Sequence, residues 1–200
     1  HCTSSEKAQI AKEFVKFNER CMIRLLGGMR SYNYVIVPTH DFDHVVYNIR
    51  AIDFDQQCFE GKFNVYRPQF FKENFKMVDL VTQRFEKQSI NQYKLEERSI
   101  VAKRMLSFKH RIDQLIQCMI NDTLSTPEHE TLLKTKIFEY TNDVKFMKSK
   151  NMGEILKNSL SYEKLQANLE NALGVNWDIE LEPYRIALAS GMLDSVSKSG

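Results

Sequence analysis

Gly27-Gly28-Met29-Arg30-Ser31-Tyr32-Asn33 leads into two runs, Tyr34-Val35-Ile36-Val37 and Val45-Val46-Tyr47-Asn48-Ile49-Arg50-Ala51-Ile52, and the second run ends in Asp53-Phe54-Asp55. Both runs are rich in β-branched and aromatic residues, the composition that strands prefer. Between them Pro38-Thr39-His40-Asp41-Phe42-Asp43-His44 supplies turn formers, so the segment predicts an antiparallel β-hairpin with a seven-residue loop. A third short extended piece is expected over Lys62-Phe63-Asn64-Val65-Tyr66, stopped by Pro68.

Upstream, Ile10, Phe14, Phe17, Cys21 and Leu25 recur at steps of three and four, which places them on one stripe of a helix. Thr3 and Glu6 have the spacing of a capping box at its start, and Gly27 is expected to close it as a left-handed cap. Downstream of Pro68, helices are expected at 69–86, 90–121, 127–148 and 152–172, with a last one after Pro183. Val101, Met105, Phe108, Ile112, Leu115 and Met119 form one apolar stripe, and Leu133, Ile137, Tyr140, Val144 and Met147 form another; both read as core. Thr126-Pro127-Glu128 carries a cap, a first-turn proline and an acid favoured by the helix dipole. The predicted fold class is mainly α with a small antiparallel β-hairpin. Residues 1–86 are expected to form a helix and hairpin segment, and residues 87–200 a helical bundle packed on it as one compact unit.

Composition narrows the function classes. The 200 residues hold 42% hydrophobic and 27% charged side chains but only 7 Gly and 4 Pro, which speaks against disorder and against a many-turned β-sandwich. A net charge of +2 gives no nucleic-acid footprint. The longest apolar runs fall far short of the roughly 20 residues of a bilayer span, and no signal-peptide core is read at the start, so no membrane is expected and the location is read as cytoplasmic. Cys2, Cys21, Cys58 and Cys118 lie far apart without a Cys-x-x-Cys pair, as free thiols of a reducing compartment would. His1 stands where a Met would begin a chain, which reads as an excised or processed piece.

A helix, a loop ending in Asn, a hairpin, and an acid directly after the second strand is the order of the catalytic elements in the C-terminal lobe of protein-kinase-like phosphotransferases. Ile52-Asp53-Phe54-Asp55 resembles the Asp-Phe-Gly element in the Asp-Phe-Asp form of atypical kinases, such as aminoglycoside phosphotransferases and isocitrate dehydrogenase kinase/phosphatase. The resemblance covers about residues 6 to 80. It implies a kinase-like C-lobe extended by a helical bundle, with Asn33, Asp53 and Asp55 as oxygen ligands of Mg²⁺ beside ATP in an intact parent. Counting back five residues from Asn33, the catalytic Asp would fall at Gly28, so the general base is missing. A glycine-rich phosphate loop and a strand lysine are also lacking from this sequence. The chain as given is therefore expected to transfer no phosphate and to hold neither Mg²⁺ nor ATP tightly, and the expected partner is a missing N-terminal lobe of the parent chain or another protein.

Duller readings stand beside these. Asp53 and Asp55 can simply end a strand and brace the turn that follows, and Asn33 can be a turn former. His40-Asp41-Phe42-Asp43-His44 offers four metal-ligand side chains, yet alternate strand residues face opposite ways, and a solvated tip is the plainer expectation. Tyr66-Arg67-Pro68-Gln69-Phe70-Phe71 is read as packing under the next helix, with a recognition surface as the alternative. His110 and His129 sit in helical segments, and no Ser or Cys nucleophile motif occurs. The rival to the phosphotransferase reading is a non-catalytic helical interaction module.

Overall fold

The computed structural model describes residues 2–161, 165 and 176–190. Its first helix, α1 (Ser4–Arg24), forms as its sequence requires: the Glu6 amide donates to Thr3 Oγ1 at 3.2 Å and the Thr3 amide to Glu6 Oε2 at 2.6 Å. The whole predicted stripe, Ile10, Phe14, Phe17, Cys21 and Leu25, is buried. The cap differs from expectation. Leu25, not Gly27, takes the left-handed conformation (φ 51°), and the Leu26 amide closes the helix on the Cys21 carbonyl at 2.9 Å. A leucine there costs roughly 1–2 kcal/mol of backbone strain, which burial of its side chain offsets. Gly27 serves close approach instead, since a Cβ on it would stand 2.8 Å from Val65 Cγ1 and 3.0 Å from the Gln56 carbonyl.

Strands β1 (Tyr34–Asp41) and β2 (His44–Ala51) pair antiparallel in the register Tyr34↔Ala51 to Asp41↔His44. The expected seven-residue loop shrinks to the turn Phe42-Asp43, because residues 38–41 continue the ladder. A two-stranded ribbon has no central strand, the place from which Pro38 would be excluded, and Phe42 adopts the positive φ (45°) that suits the twist of a tight hairpin. The inner end of the ribbon lies on α1. The Tyr34 ring sits 5.1 Å from Phe17 and 6.3 Å from Phe14, and Ile49 joins the same core. The polar groups of Ile49 are met by α1 as well, the amide donating to Glu13 at 3.2 Å and the carbonyl accepting from Arg20 at 3.0 Å.

The expected extended piece at 62–66 is not a strand. Residues 63–74 form three 3₁₀ turns, Phe63–Tyr66, Pro68–Phe70 and Lys72–Asn74, closed by i to i+3 bonds such as Asn74 to the Phe71 carbonyl at 2.9 Å. Phe63, Val65, Tyr66, Phe70 and Phe71 are all buried, and a run of apolar side chains without alternation suits this tight winding better than a pleat. Consequently the helix expected from residue 69 becomes α-helical only at α2 (Phe75–Thr82).

The expected 90–121 helix is two, α3 (Lys87–Ser107) and α4 (Lys109–Asn121), broken at Phe108. The break splits the predicted stripe: Ile116 and Met119 are buried, while Phe108 and Leu115 are 55% and 56% exposed. The reason is that α3 docks on α1 largely through charged groups, so α4 must turn away to bury its apolar side against a later helix, α7 (Met152–Ser159). Helix α5 (Pro127–Thr141) ends at Asn142 (φ 55°), ahead of the short α6 (Val144–Met147); Leu133 and Ile137 are core, but Val144 and Met147 are exposed. Of the expected 152–172 helix, 152–159 forms and residues 162–164 and 166–172 lie outside the described residues. The last helix, α8 (Trp177–Ala189), starts before Pro183 rather than after it, because Trp177 and Leu181 anchor its first turns in the α1 core, with Trp177 edge-on to Phe14 at 6.2 Å. The molecule is thus mainly helical with a single hairpin among the described residues, and no described helix is long and apolar enough to cross a membrane.

Candidate functional site

Two stretches of chain leave α1 and β2 and run against each other. The Cys58 amide donates to the Leu25 carbonyl (2.8 Å), Gly27 to Gln56 (3.0 Å), Gly28 to Val65 (3.1 Å) and Ile52 to Asn33 (3.0 Å). Between them opens a cavity of about 380 Å³, lined among others by Gly28, Arg30, Asn33, Asp53, Asp55 and Lys62. All four residues singled out in the sequence, Gly28, Asn33, Asp53 and Asp55, therefore meet at one concave place, although Asp53 follows Asn33 by twenty residues.

Each is held differently. Asn33 donates its side-chain amide to the Gly28 carbonyl at 2.7 Å, which leaves its Oδ1 as a neutral oxygen donor. Gly28 has φ +74°, a conformation that suits glycine, and a Cβ there would make ordinary contact with Gln56 at 3.4 Å. Asp53 accepts the Asp55 amide through Oδ1 at 3.0 Å, so the turn-bracing role expected of a strand-end acid is present. Its second oxygen and the Asp55 carboxylate make no further hydrogen bond among the described residues. Arg30 is committed elsewhere, to Glu73 at 2.7 Å and over the Phe71 ring at 4.7 Å. Glu60 also lines this volume, but Asp53, Asp55 and Glu60 do not stand close enough together to form a three-carboxylate group that could hold a metal.

The loop 28–33 is pinned from below by a residue that sequence reasoning passed over. Asn74 is fully buried; its Nδ2 donates to the carbonyls of Met29 (2.8 Å) and Pro68 (2.9 Å), and its Oδ1 accepts the Tyr34 hydroxyl (2.9 Å). Burial pushes that Tyr34 phenol up to about 12, so it remains a donor at all ordinary pH. Asn18 plays a similar part, donating to Phe14 and accepting the Gln69 amide at 2.7 Å. No local signal pointed to Asn74, since it follows Lys72-Glu73 and precedes Phe75-Lys76 and reads as part of a polar stretch.

Other candidates are not assembled into sites. His40, Asp41, Asp43 and His44 stand exposed at the hairpin tip, and among the described residues no group of three His, Cys, Asp or Glu is placed to hold a metal. Ser125 lies 3.4 Å from His129, but its hydroxyl donates to the Phe59 carbonyl at 2.6 Å, so its proton is not directed at the imidazole as a nucleophile's would be. Burial pushes the Cys21 thiol up to about 12 and the Cys58 thiol up to about 11, which leaves both as inert thiols. In Tyr66–Phe71 the packing alternative holds: all six residues are buried, and Arg67 lies over the rings of Phe63, Phe70 and Tyr140 and pairs with Glu180 of α8.

No family model matches the chain, and neither a curated protein nor a solved structure does.

Proposed function

We propose that this chain is the C-lobe of a divergent kinase-like phosphotransferase, with Asn33, Asp53 and Asp55 as the oxygen ligands of Mg²⁺·ATP in an intact parent and Gly28 at the place of the missing general base. The observation that carries the proposal is that Asn33, Asp53 and Asp55 line one cavity together with Gly28. Two carboxylates and an amide oxygen suit a hard cation, and the remaining octahedral positions are those that phosphates and water fill. The chain's own residues would do two things. They would seat the cation beside the phosphates, and the bond from Asn33 to Gly28 would keep the loop at a fixed distance from Asp53. Without a base to orient and deprotonate an attacking hydroxyl, and without a phosphate-covering loop and its lysine, transfer does not follow. The cation site is accordingly weak, and the nucleotide-covering lobe, from the same parent or another protein, is the partner the site requires.

Titration with Mn²⁺ in the presence of ATP, read as paramagnetic broadening of backbone amide signals, tests this directly. Broadening centred on Asn33, Asp53 and Asp55 and abolished by Asp53→Ala is the expected result. Sub-micromolar metal affinity that is indifferent to Asp53→Ala, or broadening centred elsewhere, overturns the assignment. The second reading, a helical interaction module, is favoured by one observation: Leu106 and Phe108, at the break between α3 and α4, and Leu115 within α4 are each exposed. It takes precedence if the metal titration leaves the acidic cavity untouched.

A further inference from the structure

A second cavity, of about 400 Å³, lies between α1, β2 and α3, and Phe54 forms part of its wall. The Asp53-Phe54-Asp55 element thus separates two cavities, with its acids lining the first and its aromatic ring the second. The chemistry of the second is opposite in sign. Arg20 and Arg24 come from successive turns of α1, Arg50 from β2 and Arg104 from the last turn of α3, and the one acid in the wall is Glu13.

Glu13 is already spent on internal contacts, since it accepts from Arg20 at 2.7 Å and from the Ile49 amide at 3.2 Å. Arg20 is equally committed, to Glu13, to the Ile49 carbonyl and to Glu97 at 3.2 Å. The guanidinium groups of Arg24, Arg50 and Arg104 have no acidic partner among the described residues, and all three residues are exposed. The wall therefore carries an excess of three positive charges, in a chain whose total is +2. Like charges held around one volume repel each other until an anion enters it.

We propose that this cavity binds a small phosphate-bearing organic anion, its phosphate held by Arg24, Arg50 and Arg104 and its organic part resting on Phe54. Three arginines lining one volume match the several oxygens and near-double charge of a phosphate monoester, whereas one carboxylate engages a single guanidinium fork. The volume falls in the range of about 300–1,000 Å³ typical of small-molecule sites, and Phe54, 52% exposed, is an apolar surface without cover. This assignment does not depend on the metal reading of the first cavity.

The test uses the whole chain, phenyl phosphate as the probe, and ¹H–¹⁵N spectra that include the arginine Nε–H signals. Saturable shifts at Arg24, Arg50 and Arg104 and at the Phe54 backbone amide are expected, with affinity falling about tenfold for Arg50→Gln and again about tenfold when Arg24→Gln is added, as loss of charge-assisted bonds implies. Arg185→Gln, at a distant exposed ion pair, should change nothing. Inorganic phosphate should bind more weakly, for want of contact with Phe54, and phthalate more weakly still. Shifts that do not saturate, an affinity unaltered by Arg50→Gln, or phthalate binding as tightly as phenyl phosphate would each overturn the proposal. Arg50→Lys keeps the charge but not the fork; it should also lose most of the affinity, and retention of full affinity counts against a phosphate seat.

Discussion

The side chain of Asn33 donates to the carbonyl of Gly28 at 2.7 Å, so the loop between α1 and β1 is closed on itself by the residue that ends it. The same carbonyl accepts the Arg30 amide at 2.8 Å, and the Gly28 amide is bound to Val65. Gly28 is thus held at both of its polar groups while its φ of +74° lies where L side chains rarely go. Geometry here is imposed by hydrogen bonds and permitted by the absence of a Cβ.

Installing an acid at this position tests both statements. Gly28→Asp should destabilise the chain by about 1–2 kcal/mol, the usual cost of a left-handed conformation for a residue with a Cβ. Gly28→Ala should cost about as much, because a Cβ would make only ordinary contact with Gln56 and the strain is in the backbone. Denaturant midpoints measure both. Phosphate transfer from ATP by Gly28→Asp in these 200 residues should stay at the no-enzyme level; activity above that level would show that a covering lobe is not needed.

Asn74→Ala should be among the more damaging substitutions of a polar residue. It removes the partner of two carbonyls and of the Tyr34 hydroxyl in a site with no access to water, and each orphaned group costs about 1–3 kcal/mol. A loss of about 3 kcal/mol or more by urea unfolding is expected. Amide shifts concentrated in residues 29–34 and 68–74 should accompany it, since those are the two stretches that Asn74 ties together.

The α1–α3 contact predicts a pH dependence. Glu19 is buried with Arg98 and, at 3.6 Å, Lys94; burial acts to raise its carboxyl, but the two cations outweigh it and hold the group below the ordinary 4.5. A carboxyl lowered on folding contributes stability that is complete above its unfolded value and fades as pH falls through its folded one. Unfolding midpoints should therefore drop below about pH 4.5, and Glu19→Gln should flatten that drop while lowering stability near neutrality by about 3–5 kcal/mol through the cations it leaves uncompensated. Glu97 has the opposite sign. Burial raises its carboxyl, and the nearby charge of Glu13 adds to the rise, in spite of Arg20 at 3.2 Å.

Gly153→Ala should separate α7 from α4. An added Cβ would stand 2.7 Å from the Ile120 amide nitrogen and 2.8 Å from the Met119 carbonyl carbon, both of them backbone. Neither can turn aside as a side chain could, so a cost of about 1–3 kcal/mol is expected. A thermal melt at or above that of the unchanged chain would mean that the two helices do not approach this closely in solution.

What could be read directly from the residues was whatever rests on local chemistry. The stripe Ile10, Phe14, Phe17, Cys21 and Leu25, the Thr3–Glu6 cap, the two strands and the start of α5 at Thr126-Pro127 follow from side-chain spacing and from hydrogen bonds spanning three or four residues. The candidate residues Asn33, Asp53 and Asp55 were legible too, because the hairpin returns the chain to where it left α1. Tertiary structure decided the rest. Leu25 can hold a left-handed cap since its side chain has a core to fill, and 63–74 winds into 3₁₀ turns since five apolar side chains must all reach the interior. The stripe at 101–119 breaks at Phe108 because the partners of α3 and α4 lie in different directions. The arginine cavity belongs to this second kind: Arg24, Arg50 and Arg104 are unremarkable in sequence, and only the packing of α1, β2 and α3 brings them around one volume. Charge carries no periodicity that would reveal such a meeting, since each arginine is a solvated side chain whatever its distant neighbours in the sequence are.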